Sequence, residues 1–380
     1  MVVDGHCDPA FARVGEIFAD NFDRGLEVGA SVAISVEGEL VVDLWGGHAD
    51  AEMSRPWAEH TLANLYSTTK PMAALCVHLL VDRGGLDLDD PVARHWPEFA
   101  EAGKQGVLVR HLLCHAAGLS GLDVDVTIQE MYDHDRIARL LAAQAPWWKP
   151  GTQSGYHVVT YGYLLGELVR RVAGVSLGEY FRIEIAQPLN ADLHIGVPAS
   201  ELERLADVVP LPGAEVLNLA PGQDTIASRS FARPPLIAAE ANTPAWQQAE
   251  LPAVNGYGNA RSVVRAQTPM ACGGTAFGVE LLSARAVEVA FTEQLRGVDV
   301  VLGQPMRYAL GYGLAQPEMP LGANRDTAFW GGWGGSMVTV DTVARTCFGY
   351  VPNRMLGALL GDERLAGLFG AFLEAQEGAK

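Results

Sequence analysis

Apolar and polar positions assign most of the elements in order. Residues 9–26 carry them at helical spacing, which predicts an amphipathic helix. Two β-rich runs follow at 30–36 and 40–45, around Glu37-Gly38-Glu39, and predict a hairpin with a three-residue turn. Residues 61–66 read as a loop, and 71–80 as an apolar helix. The stretch 86–91 reads as a helix exit and turn. From about 107 to 200 the pattern is mostly helical, with clear segments at 109–114, 136–144 and 161–172. Residues 201–255 are rich in proline and alanine and have no clear period. A long segment of that kind is usually a functional cover or poorly ordered. Helical patterns return at 262–268 and 283–294. Strand patterns occupy 327–330, 336–340 and 345–351, and a closing helix spans 363–376.

Strands therefore sit at both ends of the chain and helices in the middle. The expected class is α/β: one antiparallel sheet built from 1–85 and 285–380, flanked by the terminal helices. A mainly helical domain, 86–284, packs against it and includes the irregular stretch 201–255. The cleft between the two is the expected site.

Composition narrows the function. The chain has 380 residues, 49% of them hydrophobic and 19% charged, which suits a large packed core. The formal charge is -18, with the acidic residues dispersed and no basic stripe. That argues against nucleic acid or an anionic membrane surface as partner. The five cysteines are scattered and form no C-x-x-C, so free buried thiols in a reducing compartment are expected. Residues 1–8 lack the pattern of a signal peptide, and no apolar run is long enough to span a bilayer. The expectation is a soluble cytoplasmic protein, compatible with a homo-oligomer.

Chemistry concentrates at Ser67-Thr68-Thr69-Lys70, an S-x-x-K tetrad at a helix start. Residues three apart share a helix face, so the serine hydroxyl and lysine amine lie side by side. A desolvated, neutral lysine can act as base for a serine nucleophile. The helix start adds unpaired donors that suit an oxyanion. The tetrad alone is chance-prone, and its bland reading is a helix cap before a solvated lysine. Lysine usage raises its weight: of 27 lysines and arginines only Lys70, Lys104, Lys149 and Lys380 are lysines. A cation that must lose its proton cannot be arginine.

Two further stretches carry candidate chemistry. Tyr156, in the turn-rich loop 150–158, is either a second acid/base coupled to Lys70 or an aromatic that packs the loop. The glycine-dense run 330–336 either brings backbone N–H groups close to a ligand or is a flexible turn. Two decoys are set aside. Gly174-Val175-Ser176-Leu177-Gly178 matches a nucleophile elbow but follows a helix, so Ser176 is expected to cap the next helix, 177–185. His111 and His115 lack companion ligands for a metal and are expected to pack.

In order, Ser67-Thr68-Thr69-Lys70, Pro150-Gly151-Thr152-Gln153 ahead of Tyr156, and Trp330-Gly331-Gly332 resemble the three motifs of the serine β-lactamase and penicillin-binding-protein superfamily. Within it the chain is most similar to the class C β-lactamase-like carboxylesterases, the family VIII esterases. The resemblance implies a β-lactamase-like fold, with Ser67 as nucleophile and Lys70 with Tyr156 as the general-base pair. It also implies an oxyanion hole from the backbone N–H groups of Ser67 and Trp333. No metal and no cofactor are implied. The chain departs from the β-lactamase pattern at two places: Val158 stands where an asparagine is usual, and Trp330 where a lysine is. Loss of that cation removes the partner for a β-lactam carboxylate. Trp330, Gly331, Gly332, Val158 and Trp148 are the expected substrate-binding residues, with core packing the equal alternative for Trp148 and its neighbour Trp147. The expected activity is hydrolysis of neutral small-molecule esters. The alternatives on the same fold are a β-lactamase or D-Ala-D-Ala peptidase, or an acyltransferase, with a non-enzymatic scaffold disfavoured by the intact Ser67, Lys70 and Tyr156.

Overall fold

The computed structural model describes residues 3–217, 224–322, 324–357 and 359–378. Lys380 and residues 218–223 of the irregular stretch lie outside them. Nine strands form one antiparallel sheet: β1 Val3–Cys7, β2 Gly29–Val36, β3 Glu39–Gly47, β4 Leu295–Val298, β5 Pro305–Tyr308, β6 Gly313–Leu314, β7 Ala328–Gly331, β8 Met337–Asp341 and β9 Thr346–Pro352. Their order is β1-β3-β2-β9-β8-β7-β6-β5-β4, so the first and last parts of the chain meet where β2 pairs with β9. The helices that position the site are α1 Ala12–Asp23, α2 Lys70–Asp82, α3 Thr160–Ala173, α4 Ala260–Ala271 and α5 Glu363–Gly378.

Adjacent residues of a strand point to opposite faces, and β9 uses both. Phe348 meets Phe369 and Phe372 of α5, with ring centroids 5.4 and 5.5 Å away. A side chain at Gly349 would meet Val264 and Ala260 of α4. Helices therefore cover the sheet on both sides, and every residue of β9 is buried. The helix α4 belongs to this arrangement although it lies inside the stretch 86–284.

The structure departs from the expected elements at four places. The hairpin turn has two residues, not three: Glu37 and Gly38 both take positive φ, 51° and 89°, and Glu39 already pairs with Val36. A turn of this kind matches the strand twist, and a bulge at Ile34/Ser35 absorbs the extra residue. Strand β1 was not expected, because Val3–Cys7 is an edge strand with three exposed residues and no apolar alternation. The helical pattern at 283–294 ends at Ala290, and the chain goes on into β4, β5 and β6. The stretch 201–255 contains short helices and two-residue strands, with Phe231, Leu236, Trp246 and Leu251 buried. Elements that short leave no period to read.

Four of the five cysteines are buried free thiols, and Cys7 is half-buried. No helix among the described residues is long and apolar enough to cross a membrane.

Candidate active site

Ser67 opens a single turn of 3₁₀ helix, Ser67–Thr69, and Lys70 begins α2. The turn is tightly held. Tyr66 before it has φ 45°, a costly conformation for a bulky residue. The two intervening threonines supply much of the compensation. Thr69 Oγ1 donates to Tyr66 O at 2.6 Å and accepts from Gly256 N at 2.8 Å. Thr68 Oγ1 and Ser336 Oγ are 2.9 Å apart, and Ser336 Oγ donates to Leu65 O at 2.8 Å. Those bonds fasten the serine turn to the strand pair β7–β8. Gly332 makes the approach feasible: a Cβ there would lie 2.2 Å from Leu65 O.

The Tyr156 loop arrives from the other side, ahead of α3. Tyr156 O–H donates to Ser67 Oγ at 2.6 Å. The Lys70 amine lies 3.1 Å from Ser67 Oγ, 2.8 Å from Val158 O and 3.0 Å from Ala253 O. Its cation would be costly here. The side chain is fully buried, no carboxylate pairs with it among the described residues, and it sits on the positive end of α2. Burial holds its pKa well below the usual lysine value. A neutral amine has two N–H bonds and one lone pair. The two carbonyls take the N–H bonds, and the lone pair faces the serine hydroxyl. Tyr156 is pushed the other way: burial raises it above the ordinary phenol value, against the lowering effect of its bond to Ser67. The resting arrangement is a phenol, a serine hydroxyl and a free amine in hydrogen-bonded sequence.

The cavity that opens on Ser67 is narrow, about 40 Å³. Tyr156, Leu302, Gln304, Met306, Tyr308, Phe329, Trp330, Gly331, Leu359 and Leu360 complete its lining, and none of them is charged. Of the expected substrate-binding residues, Trp330 and Gly331 line the cavity. Gly332, Val158 and Trp148 do not. Gly332 packs on the serine turn, and Val158 contributes its carbonyl to Lys70 while its side chain is buried. Trp148 stands behind the Tyr156 loop, bonded to Gln153 O at 3.1 Å and pressed against Gly155. The Trp333 ring faces away too, packed on Tyr66 at 5.1 Å. Among the described residues neither the Ser67 nor the Trp333 backbone N–H is given to a protein acceptor, so both donors are free.

His115 does more than pack. Its carbonyl accepts Gly155 N–H at 3.0 Å and its Nδ1 accepts His157 N–H at 3.1 Å. The ring is stacked between Tyr161 and Trp330, with centroids 4.8 and 5.3 Å away. Burial holds its pKa well below the ordinary histidine value, so it is neutral. Thr68, Thr69, Ser336 and His115 were all missed as site residues from sequence. The available signal was polar residues next to the tetrad and inside apolar or glycine-rich runs. Ser176 caps the helix Leu177–Phe181 and bonds Glu250, apart from this cluster.

A large antiparallel sheet with helices on both faces, and a buried serine-lysine-tyrosine cluster where the helical part meets it, define a class: the chain belongs to the Beta-lactamase family, whose model matches residues 18–369. It is 35% identical to the esterase/beta-lactamase LipL of Mycobacterium tuberculosis, over 97% of this chain and 87% of that protein. The crystal structure of a family VIII carboxylesterase superposes with a TM-score of 0.92 at 42% identity, covering 99% of this chain and all of that one. A penicillin-binding-protein homologue from Caulobacter crescentus gives a TM-score of 0.89 at 38% identity, with 99% and 100% coverage.

Proposed function

We propose that this protein is a serine carboxylesterase that hydrolyses neutral esters through an acyl-enzyme on Ser67. The observation that carries the reading is the charge-free cavity at a serine bonded by both a buried lysine and a buried tyrosine. Ser67 Oγ attacks the ester carbonyl carbon as its proton passes to Lys70. The resulting oxyanion accepts from the N–H groups of Ser67 and Trp333. Tyr156 or Lys70 protonates the leaving alcohol, and water then repeats the sequence in reverse to release the acid.

A β-lactam would bring a carboxylate into this cavity, whose lining among the described residues carries no cation. The name of the LipL relative nonetheless keeps β-lactam hydrolysis as the second reading. Comparing p-nitrophenyl butyrate with a chromogenic cephalosporin decides between them: the ester is expected to turn over far faster, and the reverse ranking refutes the ester preference. A fluorophosphonate is expected to add mass at Ser67, and Ser67→Ala to abolish turnover. Labelling at Ser176 would sink the assignment. Product analysis with added acceptor alcohols separates hydrolysis from acyl transfer.

A further inference from the structure

Asp299 is fully buried, and no lysine, arginine or histidine pairs with it among the described residues. A buried carboxylate without a cation is costly unless its oxygens are fully hydrogen-bonded. Here they accept four bonds. Oδ1 accepts from Val301 N–H and Leu302 N–H, each at 2.9 Å. Those two close the turn that Asp299 itself begins, an ordinary local use of aspartate. The other two bonds leave the turn. Oδ1 also accepts from Tyr156 N–H at 3.0 Å, across 143 residues of sequence, and Oδ2 accepts from Tyr308 O–H at 3.0 Å. The same turn is laced to the tyrosine loop a second time, by Val300 N–H to Ser154 O at 3.1 Å.

One carboxylate thus joins the backbone of Tyr156 to the wall its hydroxyl faces, because Leu302 and Tyr308 both line the cavity at Ser67. We propose that Asp299 is a positioning residue: it holds the Tyr156 hydroxyl on Ser67 Oγ and keeps the cavity wall in register with it, without touching substrate. The proposal rests on the esterase reading above. Its negative charge also works with burial to keep Tyr156 in the phenol form. A phenol displaced by about 1 Å loses its bond to Ser67, and a misplacement of that size can cost about 100-fold in an enzyme.

A double-mutant cycle with Tyr156→Phe tests it, using p-nitrophenyl butyrate. Asp299→Ala is expected to lower kcat by about 100-fold with KM within about threefold, since a positioning loss falls on the transition state. Asp299→Asn keeps the shape but puts an N–H2 among donors, and is expected to cost about tenfold. In the Tyr156→Phe background either change is expected to cost less than about twofold, because residues that act as a unit are not additive. If the alanine variant does not fold, the asparagine variant carries the cycle. Equal losses in both backgrounds, or no loss in either, overturn the assignment. Wild-type enzyme that takes no fluorophosphonate on Ser67 would bring down the esterase reading and the Asp299 assignment with it. Additive losses with Ser67 labelled bring down only the latter.

Discussion

Among the described residues two lysines, Lys70 and Lys104, are buried, and their surroundings are opposite. Lys104 donates to three carbonyls: Glu101 O at 2.9 Å, Ala142 O at 2.8 Å and Gln144 O. Three acceptors and no hydroxyl call for three N–H bonds, hence an ammonium. Two of those carbonyls lie at the C-terminal end of the helix His134–Ala143, where the dipole favours a cation. Lys70 has two carbonyls and a serine hydroxyl, and it sits on the N-terminal end of α2. Burial pulls both amines down, but at Lys104 the nearby Glu101 pulls back. Buried lysine alone is therefore no mark of catalysis. The end of the helix it meets, and whether a hydroxyl replaces the third carbonyl, decide what it does.

Exchanging each lysine for arginine attacks this contrast most directly. Lys70→Arg is expected to cost at least about a thousandfold in kcat, because arginine stays charged and cannot serve as base. Lys104→Arg is expected to keep kcat within about twofold, and a comparable loss there would erase the distinction. Lys104→Met should act on stability instead. It strands carbonyls that lose their donor, for about 2–3 kcal/mol in urea unfolding, with kcat preserved in the folded fraction. An unfolding free energy equal to wild type would refute the structural role.

Trp330→Lys changes the cavity beside Lys70 rather than the lysine itself. The added cation is expected to shift the ratio of cephalosporin to ester turnover about tenfold toward cephalosporin. An unchanged ratio would mean that the missing cation does not set the preference. The pH profile is the subtlest test. Lys70 must be neutral to act, so kcat/KM should rise with pH through its lowered pKa, well under the ordinary value near 10.4. Tyr156, raised by burial, should add no falling limb below about pH 10. A rising limb at the ordinary lysine value would contradict a neutral amine at rest.

Much of this was readable beforehand, for physical reasons. The helix spacing of Ser67 and Lys70 is local, and an apolar run after it fixes where the helix goes. The strands around β2, β3, β7, β8 and β9 carry strong β-rich patterns. Strand β1 and the strands β4 to β6 were not readable, because short or edge strands need no apolar alternation. Val158 and Trp148 do not line the cavity at Ser67, and for Trp148 the packing alternative fits its place behind the loop. A sequence gives the side chain that stands at a motif position, whereas Val158 acts through its carbonyl and Trp148 supports the loop from behind.

The sequence by itself determined the α/β class, the pairing of Ser67 with Lys70 at a helix start, and an uncharged residue at position 330. Those depend on residue identity and on spacing within single elements. From the residues alone Tyr156 had two readings and only the resemblance pointed to it; the tertiary structure put its hydroxyl on Ser67 and Lys104 elsewhere. It also brought in Asp299, His115 and the two threonines. Their long-range contacts join residues from 38 to 268 positions apart, which meet only in the folded protein.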